Sequence, residues 1–334
     1  MKTNSTNLTI LRTAAGSPPA VSQYQAFEKL GVRVVGIDAN PLAAGFYFAQ
    51  VGQKVPRVSD PDYLTALRKI CERESVNWIL PAIDEELILL GSNAAVFESI
   101  GTRLCLSSVE TLRICTDKYA TYEFFSRNGI PVVATARYSE NANQYFDVFP
   151  QIVKPTKGRG STNVFVAKSQ SEVDFFARNV GEAVVVQPQI NGMEYTIDVL
   201  ASWSSEPLII APRKRLMAES GISKKGVTAW HEGMVYWAGE IIKRLKIVGP
   251  ANFQCFLTTE GELLFTEVNA RLAGSSILTQ GAGIPLYEGI ISLLKGEDPP
   301  KHIHQVSERV MLRYWSEVFL TIEEATKFGW KNDI

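Results

Sequence analysis

The sequence predicts a mixed α/β and α+β protein of two or three lobes, and three observations carry that expectation. The chain has 334 residues, more than one hydrophobic core usually serves. Short apolar runs alternate with helical periods through the first third, a succession that gives a parallel sheet with helices on both faces. From Asp117 onward the apolar runs are joined by Gly-bearing polar turns, which fold into antiparallel hairpins.

The first third reads element by element. Leu8–Leu11 is a strand, Arg12–Ser17 a small-residue turn, and Pro18 to Leu30 a helix with Pro at its start and Gly31 at its end. Val32–Ile37 is the second strand and stops at Asp38. Tyr63 to Glu74 has a helical period, Asn77–Leu80 is a third strand, Glu85 to Ile100 is helical, and Thr102–Leu106 closes the series. A strand, a small turn and an acidic end to the next strand invite a dinucleotide-binding reading, but only Gly16 follows the first strand, and prolines stand where the other glycines belong. The strand ends, with Ala15, Gly16, Ser17, Asp38, Asp84 and Glu85, still form one lip of a crevice. Asp84 to Glu86 read equally well as charges that favour a helix N-terminus.

Composition excludes several classes. With 34 Lys+Arg against 35 Asp+Glu, nothing points to a nucleic-acid surface or an acidic tail. No run approaches the roughly 18 apolar residues of a membrane helix, and Met1 to Thr9 lack an apolar signal core. Cys71, Cys105, Cys115 and Cys255 have no metal-ligand spacing and read as small core residues in a reducing cytoplasm.

The chemistry lies further along. Asp117 opens an amphipathic helix that closes on Gly129, with Lys118 in its first turn, where a cation is mildly disfavoured and so suggests a purpose beyond solubility. Gln151–Pro155 is a strand carrying Lys154. The loop Thr156-Lys-Gly158-Arg-Gly160-Ser161-Thr-Asn163 and the returning strand Val164–Ala167 follow. Such a loop can present N–H groups to phosphate oxygens, or can be an ordinary hairpin turn; it is not a Walker loop. Ala183–Ile190 is a buried-looking strand running into Gly192-Met-Glu194. Between Ala211 and Gly226 five cations, Arg213, Lys214, Arg215, Lys224 and Lys225, are expected in a loop before a helix spanning Thr228 to Leu245. Lys224 and Lys225 read as solvated, Arg215 as functional, and His231 as a packed or capping residue.

The most informative segment is the hairpin of Ala251–Leu257 and Phe265–Arg271 around the Thr258–Glu262 turn. Alternation puts Glu267, Asn269 and Arg271 on one face, and the fold-back places Gln254 across from Glu267. One carboxylate and two amide oxygens suit Mg²⁺, and Arg271 suits the charge of a transferring phosphoryl group. In isolation the same motif is also the solvated face of an amphipathic hairpin.

In their order and spacing these motifs resemble an ATP-grasp enzyme of the branch typified by half of a carbamoyl phosphate synthase large subunit. The motifs are Lys118, Lys154, the Gly158–Ser161 loop, Gln187 to Ile190 with Glu194, Gln254, and Glu267-x-Asn269-x-Arg271. The resemblance implies a pre-ATP-grasp βα domain over 1–115, a small lobe with the glycine loop over 116–190, and a large lobe with the metal site over 191–334. It implies that Lys118, Lys154, Gly158, Gly160, Ser161, Gln187, Gln189, Ile190 and Glu194 bind ATP. Gln254, Glu267 and Asn269 hold Mg²⁺, with Mn²⁺ a substitute, while Arg271, Arg215 and Lys154 serve the phosphoryl transfer.

The implied activity joins a carboxylate, activated as an acyl phosphate, to an amine, amino acid or ammonia, with release of ADP and phosphate. The partners are small molecules, with a homodimer compatible. Two departures stand out: Pro188 where a Glu is common in the adenine linker, and Gln254 where many carboxylate ligases have an acid. The chain is also shorter than a complete carbamoyl phosphate synthase, so that whole reaction is not expected. The alternatives are a subunit of a split synthase-like complex, or a nucleotide-binding partner without independent catalysis.

Overall fold

The computed structural model describes residues 8–139, 145–158, 160, 162–219, 221–305 and 307–331. Three sheets account for its strands. The first holds β1 (Thr9–Arg12), β2 (Arg33–Asp38), β3 (Val51–Lys54), β4 (Trp78–Leu80) and β5 (Arg103–Leu104), all parallel, in the order β3-β2-β1-β4-β5. Alternation divides its side chains between two cores. Ile10 and Val34 face α1 (Ala20–Lys29) and the body of the protein, whereas Leu11, Val35 and Ile79 face α2 (Tyr63–Glu74), α3 (Asp84–Ser92) and α4 (Ala94–Glu98). Helices therefore cover both faces, as expected. Two details differ from the sequence reading: β3 was not anticipated, and the single helix expected from Glu85 to Ile100 is broken at Asn93.

The loop after β1 engages the acid at the end of β2. Gly16 N donates to Asp38 Oδ2 at 2.7 Å, so the acid at the end of β2 is already bound to its own neighbouring loop.

Two helices, α5 (Val109–Cys115) and α6 (Lys118–Arg127), lead to the second sheet. Asp117 caps α6, its Oδ1 accepting from Tyr119 N and Ala120 N, which fixes Lys118 as the first helical residue. The second sheet, antiparallel, has the order β6-β9-β7-β8, from β6 (Ala136–Arg137), β7 (Gln151–Pro155), β8 (Phe165–Ala167) and β9 (Val184–Pro188), with α7 (Gln170–Val180) packed on it.

The third sheet is the largest, antiparallel throughout, with the order β14-β13-β10-β11-β12-β15. Its strands are β10 (Gly192–Ala201), β11 (Pro207–Glu219), β12 (Ile222–Thr228), β13 (Gly249–Thr258), β14 (Leu263–Asn269) and β15 (Val310–Leu312). On one face lies α8 (Glu232–Leu245), whose apolar stripe of Met234, Ala238, Ile241 and Leu245 packs on Ile197 and Phe253. On the other lie α9 (Ile277–Gly281) and α10 (Leu286–Lys295), with α11 (Ile322–Thr326) near the end of the chain. His231 is a capping residue, its Nδ1 accepting from Met234 N at 3.2 Å.

The expected basic loop between Ala211 and Gly226 is instead the long β11–β12 hairpin. Alternation within Arg213-Lys-Arg215 explains the correction: two arginines turn to one face and are buried, whereas a solvated charge run would present every side chain to water. The expected helix start at Thr228 shifts to Glu232 because β12 runs on through Thr228. Near the end of the chain the short β15 forms the open edge of the sheet.

The two antiparallel sheets meet at Phe265. Its N–H donates to Pro131 O and its carbonyl accepts from Val133 N, both at 3.0 Å, while its ring packs edge-on against Phe125 of α6. Phe265→Ala removes a fully buried ring and is expected to cost about 3–5 kcal/mol. Urea unfolding of the two proteins checks this, and a loss under 1 kcal/mol would mean that the junction closes over the cavity.

Candidate functional site

Between the second and third sheets lies a cleft of about 380 Å³. Its walls include Lys118, Lys154, Gly158, Gly160, Gln187, Gln189, Ile190, Glu194, Arg215, Gln254, Glu267, Asn269 and Arg271, so every described residue to which the resemblance assigns a role lines one space, whereas the crevice-lip residues Ala15, Gly16, Ser17, Asp38, Asp84 and Glu85 do not. Ser161 falls outside the described residues.

Each wall follows from local structure. Lys118 is tied to the base of the glycine loop, its N–H donating to Thr156 O at 2.9 Å and its Nζ to Gly158 O at 3.0 Å. Lys154 projects from β7 and is buried, with Nζ 3.5 Å from Glu267 Oε1 across the cleft. Burial holds its ammonium below the usual lysine range against the pull of Glu267, and Lys118 pushes it further down. Burial pushes the Glu194 carboxyl up, with Arg215 opposing and Glu267 adding. Arg215 Nε lies 3.3 Å from Glu194 Oε2, and its Nη2 donates to Gly221 O at 3.1 Å.

The linker residues are less open than the sequence suggests. Gln187 turns inward and donates to Thr135 Oγ1 at 2.7 Å, and Gln189 N–H is taken by Pro150 O at 3.0 Å. Neither group is free to meet a base.

The hairpin of β13 and β14 has the expected register, with Gln254 opposite Glu267 and Asn252 opposite Asn269. A bulge at Thr266 interrupts the ladder just before Glu267. The three candidate ligands therefore share one wall with a single carboxylate among them. No cluster of three His, Cys, Asp or Glu that could cage a metal occurs among the described residues. So lean a set fits Mg²⁺, which keeps waters and bound phosphate oxygens in its shell.

Arg271 is not free. Its Nε donates to Asp84 Oδ1 at 2.7 Å and its Nη2 to Asp84 Oδ2 at 2.9 Å, a bidentate fork joining the third sheet to the first. Burial by itself would lower this guanidinium, but Asp84, with Glu85 and Glu267, raises it above the usual value. Asn252, whose Nδ2 donates to Arg271 O at 3.0 Å, was not picked out from the sequence, and Asp84 was expected at the lip of a crevice but not as the partner of Arg271. Asn252 stands two residues before Gln254 on the same strand face, a signal that alternation could have supplied. The partnership of Asp84 with Arg271 spans 187 positions and leaves no local trace.

Gly221 brings the β11–β12 turn onto the glycine loop. It has φ +74, and a Cβ there would stand 2.8 Å from Gly160 Cα. Gly221→Ala is expected to push the loop off this contact and to speed tryptic cleavage after Lys157 severalfold. Unchanged cleavage would show that the contact does not hold the loop.

Comparison with known proteins adds to this geometry. The PylC-like, N-terminal domain family model matches residues 10–105. The family model for ATP-grasp in the biosynthetic pathway with Ter operon matches residues 181–318. The chain is 24% identical over 296 residues to the carbamoyl phosphate synthase large chain of Thermoplasma acidophilum, a match covering 77% of this chain and 26% of that protein. It thus spans about a quarter of the length of that relative.

Among solved structures, one similar fold is the biotin carboxylase domain of Hydrogenobacter thermophilus 2-oxoglutarate carboxylase, in complex with MgADP, ADP and bicarbonate. The TM-score is 0.71 at 15% identity, over 90% of this chain and 73% of that one. Another is the L-amino acid ligase of Bacillus licheniformis, with a TM-score of 0.69 at 18% identity, over 86% of this chain and 74% of that one.

Proposed function

We propose that this chain, which has the ATP-grasp fold behind a PylC-like N-terminal domain, is an ATP- and Mg²⁺-dependent ligase that joins a carboxylate to an amine-type acceptor. The observation that carries the reading is the cleft in which Lys118, Lys154, Glu194, Gln254, Glu267, Asn269 and Arg271 converge from α6 and the second and third sheets. The division at 115/116 and 190/191 belongs to the same reading, supported by sheets that begin and end on either side of those positions.

Lys118, the backbone of Gly158 and Gly160, and Lys154 hold the polyphosphate, and Glu194 takes the ribose hydroxyls. Gln254, Glu267 and Asn269 hold Mg²⁺, or Mn²⁺ in its place, which when bound neutralises phosphate charge. A carboxylate oxygen of the acceptor attacks the γ-phosphorus, and the bond to the bridging oxygen breaks, leaving ADP and an acyl phosphate. An amine then adds to the acyl carbon and loses a proton, and phosphate departs. Both reactants of the first step are anions, so positioning and charge neutralisation by Lys154, Arg271 and Arg215 supply most of the rate.

The four cysteines are free, and no helix among the described residues is long and apolar enough to cross a membrane. We place the protein in the cytoplasm on that support, with small-molecule partners and the open edge at β15 as the face available to a homodimer.

Purified protein with ATP, Mg²⁺ and pools of carboxylates and amines is expected to release ADP. Glu267→Gln is expected to lower Mg²⁺-dependent release by on the order of 100-fold, the scale of losing one charge-stabilising donor. Full turnover by that variant would remove Glu267 from the metal set. Tight MgADP binding without turnover in any pool would favour the split-subunit or partner-protein reading.

Lys154 also sets a pH dependence. Its ammonium attracts phosphates only while protonated, and its pKa lies below the ordinary value of about 10.4. MgADP affinity should therefore fall as pH rises through that lowered value, and Lys154→Arg should flatten the alkaline limb. Calorimetric titration across the alkaline range checks this, and identical limbs for the two proteins would refute it.

A further inference from the structure

A second cavity, of about 100 Å³, adjoins the nucleotide cleft on the side of the parallel sheet. Arg215, Gly221, Gln254, Asn269 and Arg271 line both spaces. The walls that belong to the smaller cavity alone include Arg12 at the end of β1, Ser17 of the loop after it, Gln23 of α1 and Arg213 of β11, together with residues 272–275 beyond β14.

Two of these side chains hold buried donors without partners. Arg213 is fully buried and donates from Nε to Asp198 Oδ2 at 2.8 Å and from Nη2 to Asp198 Oδ1 at 2.7 Å, while its Nη1 has no partner. Arg12, 2% exposed, donates from Nη1 to Leu80 O and Pro81 O and from Nη2 to Gln23 Oε1, while its Nε has no partner. A buried donor left unsatisfied costs about 1–3 kcal/mol, and more when it is charged. Both residues line one small cavity, which is a reason to look for an anion that would satisfy their donors.

The charges agree. Arg213 is neutralised by Asp198, Arg271 by Asp84 and Arg215 by Glu194. The hydrogen-bond partners of Arg12 are two carbonyls and an amide. The nearby Glu86 carboxyl is held by Thr13, Tyr63 and the N–H groups of Ala82 and Ile83, and burial pushes it up. Arg12 therefore brings to the wall a cation without an ion-pair partner, and burial lowers its guanidinium from the usual value.

We infer that the acceptor is small and carries a second carboxylate, seated on Arg12 Nε and Arg213 Nη1, while the carboxylate to be phosphorylated faces Gln254, Asn269 and Arg271. The substrate class is a short dicarboxylate or an amino acid with two carboxylates a few carbons apart. The inference rests on the ligase reading and deepens it. A monocarboxylate would leave both buried donors unpaired, which is how a site built for hydrogen bonding rejects an analogue lacking the group.

The test uses the full chain saturated with MgADP and calorimetric titration with succinate, malonate, acetate and propionate. At least one dicarboxylate is expected to bind tenfold or more tightly than either monocarboxylate. Arg12→Lys, which keeps a cation but deletes the Nε donor, is expected to erase that preference with the MgADP Kd unchanged. Equal binding of mono- and dicarboxylates by the unaltered protein overturns the inference without recourse to any variant, and so does an equal loss of both in Arg12→Lys. A dicarboxylate preference without ADP release from any carboxylate and amine pool would keep the anion site and sink the ligase reading. Failure to bind MgADP would sink both.

Discussion

The register of β13 against β14 is the constraint on which the site depends. With Gln254 opposite Glu267 and Asn252 opposite Asn269, the polar side chains face the cleft while Phe253 and Phe265 face the core beneath α8. A slip of one residue would exchange the two sets and bury a carboxylate where a phenyl ring now sits. Two fully buried aromatic rings make that exchange prohibitive. The apolar face of the hairpin therefore fixes the polar face that lines the cleft. The backbone bonds of Phe265 to Pro131 and Val133 carry the same constraint to the strand leading into the second sheet, and so to Lys154.

Charge pairing organises the rest of the cleft. Lys154 faces Glu267, Arg215 faces Glu194, and Arg271 is forked onto Asp84. On the proposed reading, an incoming polyphosphate would meet cations already oriented by acids, with little reorganisation left when charge moves during phosphoryl transfer. Asp84 has a further effect: it comes from the first residue of α3, so the orientation of Arg271 depends on how the parallel sheet docks. The N-terminal third thus orients one wall of the larger cleft without lining it, and it lines the adjoining cavity directly.

Much of this was legible in the sequence because the informative residues sit on strands or at strand ends, where alternation and turn chemistry determine direction. Gln254 opposite Glu267, Lys118 at a helix start and the hairpin around Thr258–Glu262 all follow from local rules. The β11–β12 hairpin was read as a loop because its five cations and glycine hide the alternation of a strand, and Arg213 is buried there through its pairing with Asp198 on the neighbouring strand. The turned-in amide of Gln187 and the bond of Arg271 to Asp84 likewise depend on partners 52 and 187 positions away. The short strand β3, half-buried and with glycine inside it, lacks both periodicity and an apolar run.

The choice of an amide at position 254 has its own physical consequence. Directly opposed residues on antiparallel strands have Cβ atoms about 5 Å apart, where two like charges repel. A carboxylate opposite Glu267 would stand in a cleft where burial and Glu267 already push the Glu194 carboxyl up, so the hairpin would need a resident cation to hold its shape. With Gln254 the only acid on that wall is Glu267, and Lys154 already faces it. The hairpin is thus stable with no metal in place, and one carboxylate with two amides offers a free divalent ion too little charge to shed its water. On the proposed reading the ion gains its remaining oxygen ligands from the phosphates, so metal and nucleotide bind together and neither is held well without the other.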